Sequence, residues 1–129
     1  MDVMSEPLRR VLVIDDQLDH IEIVAALLRR EGYEVEASTD ARMAVHNAVE
    51  NPPDLILLDL WMPSVDGFRA AQLLRADPRT HKVPIIFLSA CGETIAEASG
   101  VDLGDVDYLP KPFHAVELLE MAAAALRSE

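Results

Sequence analysis

The chain has 129 residues, about half of them apolar, and a formal net charge of −12, which fits a single domain with a sizeable core and excludes a disordered chain. Acidity of this size repels nucleic acid, so direct DNA or RNA binding is not expected. Cys91 is the only cysteine, which excludes an internal disulfide, no apolar run approaches the roughly 20 residues of a membrane span, and the opening MDVMSEPLRR lacks a signal-peptide core; a cytoplasmic protein without membrane insertion is expected.

The first strand is expected at RVLVID (10–15), a run rich in Val and Ile and too short for a buried helix. DHIEIVAALLRREG then carries an apolar stripe at Ile21, Val24, Leu27 and Leu28, with capping-box spacing at Asp19 and Glu22 and a C-terminal glycine at Gly32. YEVEAS (33–38) alternates apolar and polar residues and should be an edge strand. Asp40 is placed to cap a helix in DARMAVHNAVENPP, which stops before Pro52. DLILLDL (54–60) is a strand buried on both faces, and GFRAAQLLRADP a helix ended by Pro78. VPIIFLS (83–89) is the next strand, ETIAEASGVDLG a poor helix with Gly100 inside it, VDYLP (106–110) the last strand, and HAVELLEMAAAALR the closing helix. Strand and helix alternate five times. With right-handed crossovers this gives an α/β fold, an open parallel sheet with helices on both faces in one domain spanning 1–129, with its core in about 10–126.

Ligands in such sheets bind at the carboxyl ends of the strands. Asp15 and Asp16 end the first strand, Asp59 the third and Ser89 the fourth, while the fifth runs into Lys111 and Pro112. Asp59 raises the sharpest question, because an ionised carboxylate at the end of an apolar strand needs a partner. Three carboxylates at one edge repel each other unless a cation intervenes, and carboxylates with carbonyls and water suit a small hard ion, Mg²⁺ above all. Lys111 adds a fixed positive charge, and the nearly balanced site could then accept an anion such as phosphate. Each residue also has a plain structural reading: Asp15 and Asp16 as a pair favoured by a helix dipole, Ser89 as a cap, Lys111 as a solvated lysine.

VLVIDD, DLILLDLWMPSVDG, PIIFLSA and DYLPKPF together resemble the response-regulator receiver domain of two-component signalling, over roughly Arg10 to Leu126. The resemblance implies a three-layer, doubly wound, five-stranded sheet of flavodoxin-like order 2-1-3-4-5. It implies Asp59 as acceptor of a phosphoryl group from a sensor histidine kinase or phosphotransfer protein, a domain that catalyses only its own phosphorylation and dephosphorylation, and Mg²⁺ as cofactor. The metal ligands would be Asp16 directly, Asp15 through water, Asp59 and the backbone carbonyl of Trp61. Ser89 and Lys111 would bond phosphoryl oxygens. Tyr108 would be the aromatic switch, although an ordinary half-exposed strand tyrosine is the simpler reading. Pro112 would follow a cis peptide bond. The chain would be a monomer or a weak dimer formed on phosphorylation, switching partners through the face built from the ETIAEASGVDLG segment, the fifth strand and the last helix.

Departures from the pattern avoid the acid cluster: His114 stands where a helix cap belongs, with Glu117 keeping half a capping box, and the loop before Tyr108 reads GDVDY. The four histidines, His20, His46, His81 and His114, show no ligand spacing and are expected on the surface. An aspartyl phosphohydrolase would show D-x-D at the first strand rather than Asp15-Asp16, and a flavin carrier would want a Ser/Thr/Gly-rich loop where DDQLDH stands. No DNA-binding output domain is expected after the last helix. The ETIAEASGVDLG segment should be the least stable helix, and the Trp61 indole should lean over the pocket mouth and shield it.

Overall fold

The computed structural model describes residues 9–59, 67–88 and 106–127. Five parallel strands, β1 (Arg10–Ile14), β2 (Glu34–Ser38), β3 (Leu55–Asp59), β4 (Ile85–Leu88) and β5 (Val106–Leu109), lie in the order β2-β1-β3-β4-β5. Between them run α1 (Leu18–Arg30), α2 (Ala41–Glu50) and α3 (Gly67–Ala76), and a C-terminal helix (Ala115–Arg127) closes the described chain. The flavodoxin-like order and the edge position of β2 are as the sequence leads one to expect. ETIAEASGVDLG, Ser89 and Trp61 lie outside the described residues.

Alternation along the strands makes two cores. Val11, Val13, Leu55, Leu57, Ile86 and Leu88 face α1 and the C-terminal helix, meeting Ile21, Val24, Leu28 and Leu118. Their neighbours Leu12, Ile14, Ile56, Leu58, Ile85 and Phe87 face α2 and α3. On that side Ala41, Ala44, Ala48, Ala70 and Ala71 are all buried, and their small side chains let both helices lie close on the sheet. Every residue of β3 is buried, because β3 is covered on both faces and flanked by β1 and β4. Burying each such aliphatic side chain stabilises the fold by about 1.5–3 kcal/mol, which makes the strand a rigid carrier for the carboxylate at its end.

Local chemistry sets the element ends. α1 ends in a Schellman motif, in which the Gly32 amide donates to the Arg29 carbonyl at 3.0 Å and the Tyr33 amide to Leu28 at 3.3 Å. Gly32 sits at φ +94°, where a side chain would be strained, so its glycine is required by backbone conformation. The expected Asp19/Glu22 capping box does not form. The Asp15 carboxylate accepts the Gln17 amide at 3.0 Å, the helix starts at Leu18, and Asp19 falls inside its first turn. β1 ends one residue earlier than expected, although the Asp15 amide still donates to the Ser38 carbonyl of β2 at 3.2 Å. β4 starts later than expected because Val83 donates back to Thr80 at 3.1 Å and Pro84 has no amide to give.

At α2, Asp40 accepts the amides of Arg42 at 3.0 Å and Met43 at 3.2 Å. Asp40→Ala should therefore cost about 1 kcal/mol, read as a lower urea midpoint at constant slope; a midpoint equal to the parent's would show that water replaces the cap. At the C-terminal helix, the His114 amide donates to Glu117 Oε1 at 2.8 Å, so the surviving half of the capping box does form.

Candidate functional site

Asp59 is the last residue of β3, Asp15 follows β1, and Lys111 follows β5, so three adjoining loop starts meet at one sheet edge. Asp15 and Asp59 are only 3% and 2% exposed. Lys111 Nζ donates to Asp59 Oδ2 at 2.9 Å. The Lys111–Pro112 peptide is cis. Two buried carboxylates thus face one ammonium group. Burial, more than anything else, pushes the Asp15 carboxyl up from 3.8 to about 6; the Gln17 amide opposes this, the neighbouring Asp59 carboxylate adds to it, and Lys111 pulls it down.

The side chain that sequence reasoning missed here is His20. Its side chain is 44% exposed, but its Nδ1 is shielded from solvent and points at Asp15 Oδ2, 3.4 Å away. The contact lacks hydrogen-bond geometry, and Nδ1 has no hydrogen-bond partner. His20 is therefore not the plain surface residue expected. It reaches the site because the first turn of α1 folds back over the end of β1, a proximity with no signal beyond a histidine shortly after a strand-end acid. His46, His81 and His114 are exposed, as expected. One atom each from Asp15, His20 and Asp59 lie within 4.8 Å of one another, a separation that one divalent cation can bridge. Asp16, in the bend after Asp15, is half-buried and outside that group. A cleft of about 560 Å³ opens over the site between α1 and the loop after β5, lined by Asp15, His20, Leu88, Lys111, Pro112 and Phe113 among others. Tyr108 is half-buried and stacked on Phe87, with ring centroids 5.3 Å apart and planes at 23°.

A doubly wound parallel sheet with a buried acid pair and a lysine at its carboxyl edge defines a flavodoxin-like module whose charged residues gather at the strand ends. The chain belongs to the response regulator receiver domain family, whose model matches residues 11–123; these are the phosphorylation-switched modules of two-component signalling. It is 42% identical over 118 residues to the DNA-binding dual master transcriptional regulator RpaA of Synechocystis sp., covering 92% of this chain and 49% of that protein. It is 37% identical over 127 residues to the DNA-binding response regulator MtrA of Mycobacterium tuberculosis, covering 98% and 53%. The chain thus spans about half the length of the curated relatives it matches. Among solved structures it resembles the chemotaxis protein CheY4 of Vibrio cholerae, with TM-score 0.83, 30% identity and coverage of 93% and 100%. It also resembles the receiver domain of the sensor histidine kinase PA1611 of Pseudomonas aeruginosa, with TM-score 0.84, 30% identity and coverage of 94% and 99%; that structure holds a magnesium ion in its active-site cleft. Among the described residues, no helix is long and apolar enough to cross a membrane.

Proposed function

We propose that the chain is a single receiver domain in which Asp59 accepts a phosphoryl group from the phosphohistidine of a sensor histidine kinase or phosphotransfer protein. The observation that carries this reading is the buried Asp59 carboxylate, held at 2.9 Å by Lys111 beside the equally buried Asp15. Such an acid at the end of an apolar strand stabilises nothing in the core and is positioned for chemistry.

An Asp59 oxygen attacks phosphorus, forming an acyl phosphate as the P–N bond to the donor imidazole breaks, and the imidazole leaves with the bonding electrons. Lys111 fixes the carboxylate beforehand and neutralises part of the added charge. The donor set of Asp15 and Asp59 fits a hard divalent cation, and Mg²⁺ bound there would neutralise the incoming phosphoryl oxygens. By the family pattern Asp16 and the Trp61 carbonyl would complete that ligand set. Ser89 takes a phosphoryl oxygen, and Tyr108 couples the site to a partner-binding face. The domain catalyses only its own phosphorylation and dephosphorylation.

The test is incubation with acetyl phosphate, with Mg²⁺ or with EDTA, followed by intact mass measurement and by borohydride reduction with peptide mapping. One phosphoryl group per chain, at Asp59 and only with Mg²⁺, is expected. Acid-stable label, or label at another residue, would overturn the assignment.

A further inference from the structure

We propose that His20 is a further protein ligand of the pocket's cation, and that it shifts the site's preference from Mg²⁺ toward borderline divalent ions such as Co²⁺, Ni²⁺ and Zn²⁺. The inference rests on the reading of this pocket as a divalent-cation site. It stands on three observations. A ligand atom of His20 lies within 4.8 Å of those of Asp15 and Asp59. The ring's Nδ1 is shielded from solvent, faces the Asp15 carboxylate at 3.4 Å and has no hydrogen-bond partner, so a lone pair there is left for a cation shared with that carboxylate. The two carboxylates are buried, so an ion held between them exchanges part of its water for protein ligands.

Ligand chemistry then sets the selectivity. Carboxylates, carbonyls and water serve Mg²⁺, which keeps several waters and gains little from an imidazole. Imidazole binds the later first-row ions strongly, in the order in which their affinities rise generally. A pocket offering two carboxylates and one imidazole therefore still admits Mg²⁺ through oxygen and adds an imidazole bond for Co²⁺, Ni²⁺ or Zn²⁺. Lys111 opposes every divalent ion alike and does not alter the ranking.

The experiment compares the parent chain with His20→Gln by calorimetric titration of Mg²⁺ and of Co²⁺ at mildly alkaline pH, with the visible absorption of Co²⁺ reporting nitrogen ligation. His20→Gln should weaken Co²⁺ by about tenfold or more while changing Mg²⁺ by less than about twofold, and the nitrogen-ligation bands should fade. A second measurement needs no variant: imidazole NMR of the parent chain titrated with Zn²⁺ should move the His20 ring resonances ahead of those of the three exposed histidines. Equal factors for the two ions, or a His20 ring indifferent to Zn²⁺, would overturn the ligand role even where Mg²⁺-dependent labelling of Asp59 stands. A parent chain that binds neither ion would overturn the cation-site reading as well.

Discussion

Asp59→Asn should abolish phosphoryl uptake and, in the same protein, make the metal-free fold more stable near neutral pH. The two effects share a cause. Asparagine matches aspartate in shape, so packing at a position only 2% exposed is kept, but its amide cannot form the acyl phosphate. The parent site holds two buried carboxylates against one ammonium group; the variant holds Asp15 and Lys111 alone. Asp15 carries a carboxyl pushed up from 3.8 to about 6. Each unit of such a shift costs about 1.4 kcal/mol of stability at a pH where the group is ionised. Burial is the largest cause and persists in the variant, so the part relieved by removing Asp59 is on the order of 1 kcal/mol.

The pH dependence has a definite sign. With a folded value near 6 and an unfolded value of 3.8, the folded chain binds the proton first, so metal-free stability rises as pH falls through about 6 and levels off near 4. Asp77 does not blur this window. Its carboxyl is held below 3.8 by Arg79, so its contribution is lost only at more acid pH. Urea melts in EDTA at about pH 7.5 and about pH 5 should show the parent gaining on acidification and Asp59→Asn gaining less. Mg²⁺ should raise parent stability by mass action and the variant's by less. Undiminished labelling of Asp59→Asn, or a variant less stable than the parent in EDTA near neutral pH, would contradict this account of the cluster.

What the sequence disclosed and what it withheld divide along physical lines. Short Val, Ile and Leu runs broken by turns gave away the parallel sheet, and the Leu55–Leu58 run ending in Asp59 gave away the acid because burial without a partner is costly. Asp40 and Gly32 were legible because a cap and a Schellman turn are local in sequence. The late start of β4 was only partly legible: Pro84 is plain in the sequence, but the turn that takes up the Val83 amide is held by contacts with α3. Arg75 reaches from α3 to the Val83 carbonyl at 2.7 Å, and the buried Thr80 hydroxyl donates to Leu74 at 2.6 Å, tying the entry of the strand to the helix before it. His20 was hidden for the same reason. Its spacing matches no ligand motif, and only the turn from β1 into α1 brings its ring to Asp15. Asp15 and Asp16 read alike in a string of letters; the Gln17 amide and burial distinguish them in space.

The largest loss of stability should come from Phe87→Ala. Phe87 sits in β4 with Leu58 beside it on β3 and Tyr108 on β5, and it is wholly buried with Leu12, Ile14 and Leu74 on the α2 and α3 face. Sheet hydrogen bonds hold both flanking strands, so the void left by the ring can collapse only partly. Truncation of this kind costs about 3–5 kcal/mol, against a total of roughly 5–15 kcal/mol for a domain, so the variant should lose at least about a fifth of its stability. Part of that loss is the stack on Tyr108 at 5.3 Å, an aromatic pair worth about 0.5–1.5 kcal/mol beyond its buried area. A cycle of Phe87→Leu, Tyr108→Leu and the double variant isolates this share while keeping most of the core volume. Both leucine variants keep Asp59 and Lys111 and should still take up phosphate at Asp59 with Mg²⁺. The effect of Phe87→Leu should fall instead on the position of the Tyr108 ring, which loses its stacking partner three residues before Lys111. Urea melts supply the energies and acetyl phosphate labelling the activity. A cost for Phe87→Ala below about 1 kcal/mol, or strictly additive leucine variants, would show that the ring neither fills this core nor braces the tyrosine.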